Sequence, residues 1–214
     1  MLRYQTIPVT AFEQNCSLLW DDATPAPHDA AAIDPGGDLD RVLALAKRLN
    51  LKITQIWLTH GHLDHVGGAG ELARQLGISV TGPHRGDAGL IASLPQQGAK
   101  FGLPPAEAFT PARWLADGDT LELAGHSITV RHCPGHTPGH VVFHAPQIGR
   151  AFVGDVLFAG SIGRTDLPGG DTDQLIASIR ERLWPMGDAT VFIPGHGPES
   201  TFGQERRSNP FVRD

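Results

Sequence analysis

Residues 60–65 read His60-Gly61-His62-Leu63-Asp64-His65, three imidazoles and one carboxylate in a stretch too short for a regular strand or an uninterrupted helical face. Burying so many polar groups at one turn is costly unless an ion pairs them, so the fold must hold this turn where an ion can bind. The run before it, residues 53–58, is apolar and β-branched like a buried strand. After it, Gly67-Gly68-Ala69 and residues 71–76 read as the start of a helix. The turn therefore lies between a strand and a helix, at the strand end where ligand sites of α/β sheets collect.

The rest of the first half follows the same alternation. Strands are expected near 3–9, 15–20 and 29–33, the last ending in the turn Asp34-Pro35-Gly36-Gly37. A helix over 39–49 follows from the spacing of Leu39, Val42, Leu43, Ala46 and Leu49, with Asp38 as its N-cap. A strand over 78–81 completes a β, α, β, α series. Residues 95–111 are proline-rich and read as a long surface loop joining two halves. Beyond them a hairpin is expected from 120–123 and 127–132 around Ala124-Gly125, then strands over 140–144 and 151–156. Gly169-Gly170-Asp171 lacks the lysine and spacing of a phosphate loop and reads as the start of a helix over 173–183, followed by a strand over 190–193. This doubling predicts two related sheets facing each other with helices outside, in one domain spanning 1–214.

Composition narrows the partners. The net charge is -6 and no Lys/Arg run exceeds Arg206-Arg207, which argues against nucleic acid and anionic membranes and for a small-molecule partner. Two cysteines, Cys16 and Cys133, form no disulfide framework, and Cys133 is read as a small buried hydrophobe. Met1-Leu2-Arg3-Tyr4 does not begin a signal peptide, and no apolar run approaches membrane-spanning length. A cytoplasmic protein, monomer or homodimer, is expected.

Three later positions repeat the form of the first turn, a polar residue delivered at glycine after an apolar run: His136 in Pro134-Gly135-His136, Asp155 after Gly154, and His196 in Pro194-Gly195-His196-Gly197. With them the ligand set becomes His60, His62, Asp64, His65, His136, Asp155 and His196, too many for one tetrahedral site and suited to two adjacent ones. Site one would take His60, His62 and His136; site two would take Asp64, His65 and His196; Asp155 could bridge them. His28, His84, His126 and His144 lack such context and read as structural. His132 and His140 fall outside the ligand positions, with a supporting role open for His140.

This pattern resembles the metallo-β-lactamase fold superfamily: His-x-His-x-Asp-His at 60–65, then His136, Asp155 and His196 in order and spacing, with the Asp34-Pro35-Gly36 turn. Within it, Gly154-Asp155-Val156-Leu157-Phe158 and Gly163-Arg164-Thr165-Asp166 look like glyoxalase II and its relatives. Pro194-Gly195-His196-Gly197-Pro198 and the tail at 205–211 look like the short, single-domain glyoxalase II-like proteins. The resemblance implies an α/β fold, an αβ/βα sandwich of two mixed sheets flanked by helices, with metals at one edge. It also implies hydrolysis of a thioester such as S-lactoylglutathione by metal-activated hydroxide, the second step of methylglyoxal detoxification. Two divalent ions per chain are implied, zinc first by family habit, with iron and manganese also suited to these ligands.

Asp64 would orient the hydroxide and manage its proton. Arg164 would meet an anionic acyl or glutathione group, or else pair with Asp166 and hold the loop. Full-length glyoxalase II carries a C-terminal helical domain that contacts glutathione, and no segment here matches it, which leaves those contacts unassigned. Two rivals share the motif: a persulfide dioxygenase using one iron on His60, His136 and Asp155, and a lactonase-like hydrolase. The Gly195-His196-Gly197-Pro198 turn looks more like the hydrolase form.

Overall fold

In the computed structural model, which describes residues 1–101 and 106–213, the first half of the chain begins with β1 (Leu2–Val9), β2 (Gln14–Asp21), β3 (His28–Ile33), α1 (Leu39–Arg48) and β4 (Leu51–Trp57). It continues through α2 (Leu63–Val66), α3 (Ala69–Leu76), β5 (Val80–His84), α4 (Ala88–Ala92), α5 (Leu94–Phe101) and β6 (Arg113–Leu115). The second half runs β7 (Thr120–Leu123), β8 (His126–His132), β9 (Val141–Ala145), β10 (Arg150–Gly154), then a small hairpin of β11 (Leu157–Phe158) and β12 (Ser161–Ile162). Last come α6 (Thr172–Ser178), β13 (Val191–Pro194), β14 (Ser200–Thr201) and α7 (Phe202–Ser208).

Two six-stranded sheets result, ordered β1-β2-β3-β4-β5-β6 and β14-β13-β10-β9-β8-β7. Both are mixed: β3, β4, β5 and β6 pair in parallel, as do β10 and β13, while the remaining neighbours are antiparallel. Period-two alternation sorts the apolar side chains into layers. On β3, Ala30 and Ala32 join the core under α1 and α3, whereas Ala31 and Ile33 face the opposite sheet. On β10, Phe152 faces the first sheet while Ala151 and Val153 pack under α6 and α7 with Leu175, Ile179 and Phe202. Helix, sheet, sheet, helix is the αβ/βα sandwich that the doubling predicted. Among the described residues no helix is long and apolar enough to cross a membrane.

Three local expectations need correction. Part of the expected 95–111 loop is helical, since α5 covers Leu94–Phe101. Pro95 falls in the first turn, where a helix needs no N–H from it, so the proline starts the helix rather than breaking it. Residues 102–105 of that loop lie outside the described residues. Asp38 is not a side-chain cap of α1: it sits at φ 48°, and its carboxylate instead accepts from the Thr10 amide (3.0 Å) and Arg41 (3.1 Å). The helix expected over 173–183 is α-helical only to Ser178 and continues as a π-helical turn over Ile179–Leu183. Its start is as read, with Asp171 accepting from the Gln174 amide at 3.0 Å.

Candidate metal centre

All seven expected ligands arrive at one edge of the sandwich. His60 follows β4, His62 precedes α2, Asp64 and His65 ride on α2, His136 lies in the turn between β8 and β9, Asp155 follows β10, and His196 follows β13. Because β8, β10 and β13 run in the same direction, their C-terminal ends gather together opposite that of β4. Gly195 makes the closeness possible: a Cβ there would stand 2.1 Å from Asp155 Oδ1 and 2.6 Å from the His65 ring.

The candidate ligand atoms form two triads flanking Asp155, and a third, fully buried group of Asp34, His60 and His65 lies behind them. Those of His60, His62 and His136 lie within 4.8 Å of one another, and so do those of Asp64, His65 and His196. Asp155 stands between them, with Oδ1 3.3 Å from His65 Nε2, and Oδ2 3.5 Å from His136 Nε2 and 3.8 Å from His196 Nε2. These two groups have the membership expected of sites one and two, with Asp155 between them, whereas the group that includes Asp34 is not among the expectations.

The rings of His60, His65, His136 and His196 are each turned by a hydrogen bond on the far side, whereas His62 Nδ1 faces His136 Nε2 at 2.9 Å. His136 Nδ1 donates to the Arg164 carbonyl at 2.8 Å, His196 Nδ1 to the Phe12 carbonyl at 3.0 Å, and His65 Nδ1 to Asp34 Oδ2 at 2.9 Å. Asp34 also accepts from the Thr59 amide and hydroxyl, so Thr59 Oγ1 is left to accept from His60 Nδ1 at 3.0 Å. One carboxylate thus orients two imidazoles, His65 directly and His60 through Thr59, and leaves each Nε2 aimed inward. His60 Nε2, His65 Nε2 and Asp155 Oδ1 are buried and have no protein partner. Orphaned buried acceptors converging at one point are what a divalent cation satisfies, and the His and carboxylate donors fit one.

Charge is divided unevenly before an ion binds. Burial and the surrounding imidazoles push His60 well below the usual histidine range, and burial beside His136 takes His62 down to about 4. Burial also opposes charge on His65, but Asp155, Asp64 and Asp34 outweigh it and hold this ring well above the usual value. For Asp155 the burial cost is overcome by His65, His136 and His196, so its carboxyl stays below the usual range.

Supporting residues were only partly foreseen. His140 accepts from the Asp155 amide at 3.0 Å, and its ring stacks on His60 at 4.6 Å. Asp34 reads in the sequence only as part of a turn. Asp87, Asn15 and Gln97 carry no sequence signal, yet Asn15 Nδ2 donates to the Pro194 and Gly197 carbonyls and Gln97 binds the Leu63 amide and Leu90 carbonyl. Nothing local in the sequence marks them, since their partners come from distant segments. His126 pairs with Asp21 and His28 with Thr24, both away from the centre. Both cysteines are buried, and burial raises their thiols, so neither serves as a nucleophile at neutral pH.

A cleft of about 610 Å³ opens over the triads, walled by Phe12, Leu63, Phe158, Ile162, Leu167 and Pro198, with His62, Asp64, His136, Asp155 and His196 at its floor. Arg164 lines the rim, where it makes a bidentate pair with Asp166, 2.7 Å on each arm, and both side chains are exposed.

Residues 9–196 match the profile of the metallo-beta-lactamase superfamily. Over 212 residues the chain is 49% identical to hydroxyacylglutathione hydrolase GloC of Haemophilus influenzae, covering 99% of this chain and 98% of that protein. Among solved structures, the B3 metallo-beta-lactamase BLEG-1 superposes with a TM-score of 0.90 at 34% identity, over 99% of this chain and all of the other. TTHA1623, solved in a di-iron-bound form, gives a TM-score of 0.86 at 36% identity, over 97% of this chain and 100% of that one.

Proposed function

Because the chain belongs to the metallo-β-lactamase superfamily, we propose that it is a metal-dependent thioester hydrolase acting on S-lactoylglutathione or a related hydroxyacylglutathione. The observation that carries the hydrolytic reading is the pair of ligand triads with Asp155 facing both. The thioester assignment draws its support from the Haemophilus relative of that name. His60, His62 and His136 would hold one ion, Asp64, His65 and His196 the other, and Asp155 would touch both. Two divalent ions bound there, zinc, iron or manganese, supply Lewis-acid polarisation of a carbonyl and a water acidic enough to attack near neutral pH.

The protein's own groups account for the remainder. Asp64 presents its carboxylate to the cleft floor and takes the proton released by the attacking water. Phe12, Phe158, Leu63 and Ile162 give the cleft an apolar wall, which strengthens electrostatic contacts at its floor. Arg164 sits at the rim, where a substrate carboxylate would compete with Asp166 for the guanidinium. The leaving thiolate needs little protonation, and no dedicated acid is required.

Thiol release from S-lactoylglutathione by protein loaded with zinc, and separately with iron, tests this reading. Iron is included because a close structural relative has been solved with two iron ions. Oxygen uptake with glutathione persulfide in place of thiol release would identify the dioxygenase rival.

A further inference from the structure

Asp87 lies on the short turn between β5 and α4 and is fully buried. Its Oδ2 accepts from the Gly61 amide and from Thr137 Oγ1, each at 2.8 Å, and its Oδ1 accepts from the Gly139 amide at 2.6 Å. These donors come from two separate loops. Gly61 stands between His60 and His62, and Thr137 follows His136, so one carboxylate ties together the two loops that deliver all three imidazoles of the first triad. The backbone is shaped to close on it: a Cβ on Gly139 would sit 2.5 Å from the Asp87 nitrogen and 2.7 Å from its Cγ. An acceptor-only side chain meeting three donors has no slack, and charge-assisted bonds of this kind are the stronger ones.

The second triad has different supports. His65 leans on Asp34, His196 on the Phe12 carbonyl, and the turn carrying His196 on Asn15. We propose that Asp87 is a positioning residue that sets the ion affinity of the first site, His60, His62 and His136, without setting that of the second. This rests on the metallohydrolase reading above.

The test is titration of metal-free protein with zinc against a competing chelator, with thermal unfolding followed on the same samples. Asp87→Asn keeps the volume but turns an amide N–H₂ toward a donor. The affinity of one ion should fall by roughly 10- to 100-fold, the scale of lost supporting contacts in metal sites, while the other stays within about twofold. Thr137→Val, which removes one donor, should weaken the same ion by less. In a His62→Ala background, where the first site is already broken, Asp87→Asn should shift the remaining ion by no more than about twofold.

Folded Asp87→Asn protein that binds both ions as tightly as wild type, or loses both alike, overturns the proposal. So does an undiminished loss in the His62→Ala background. Should Asp87→Asn not fold, Thr137→Val carries the same test, and loss confined to one ion is the supporting result. Wild-type protein that takes up no zinc overturns the metallohydrolase reading together with this one, whereas two tightly held ions and an unaffected Asp87→Asn overturn this one alone.

Discussion

His60 and His65 have ring centres 4.1 Å apart yet opposite charge preferences, because burial and neighbouring imidazoles dominate at His60 while Asp155, Asp64 and Asp34 outweigh burial at His65. In the metal-free protein His65 therefore holds a proton near neutrality that an incoming cation must displace. Acid acts through the others. Burial and neighbouring imidazoles hold His60, His62 and His140 below the usual histidine range in the folded protein, so the unfolded chain binds protons there that the folded chain refuses. Stability of the metal-free protein should then fall as pH drops below about 6.5, since stability rises with pH wherever the unfolded state binds more protons. His65 and His196, raised, have the opposite sign: their contribution is complete below the unfolded value and is lost as pH rises through the folded one. Urea midpoints of metal-free protein should accordingly be lower at pH 5.5 than at pH 7, and equal midpoints would contradict this account. Arg164 is a second residue-scale case. If it meets a substrate anion, Arg164→Ala should raise KM roughly fivefold with kcat nearly unchanged, the mark of uniform binding. An unchanged KM would leave the Asp166 pair as its whole role.

The hairpin of β11 and β12 supplies Phe158 and Ile162 to the cleft wall and is anchored from behind by α7. Asn209, fully buried just past that helix, donates to the Ser161 carbonyl at 3.0 Å and to Glu205, while Glu205 accepts from the Gly160 amide at 2.7 Å. Asn209→Ala should cost about 2 kcal/mol by leaving buried acceptors unpaired, and should raise KM while bound metal is retained. Loss of metal instead would show that the hairpin supports the ligands and not the wall. Elements with strong periodicity, such as α1 and the 120–132 hairpin, were legible because each repeats one buried face. Helix α5 was not, because Pro95 and two glutamines obscure a short helix in which Leu94 is the large apolar side chain buried among the described residues. Asp38 misled for a related reason: an aspartate before a helix suits a cap, but here its carboxylate is claimed by Thr10 from another strand's turn.

At the scale of the whole molecule, two facing sheets with helices outside are legible in strand and helix order, and the candidate ligands in the His and Asp residues set at glycine turns. The braces are not. Asp34, Asp87 and Asn15 act across 25 to 182 positions of sequence, on backbone groups that any residue would provide, so no local pattern betrays them. What the sandwich achieves is convergence: the two facing sheets bring strand ends together at one edge, where buried Asp34 and Asp87 and half-buried Asn15 fasten the loops that carry the histidines. In the proposed function, two ions gather there to hydrolyse a thioester. Elemental analysis of purified protein, followed on the same sample by thiol release from S-lactoylglutathione, tests it most directly. Close to two ions per chain with rapid release is the predicted result; about one iron per chain, little release and oxygen uptake with glutathione persulfide would contradict it.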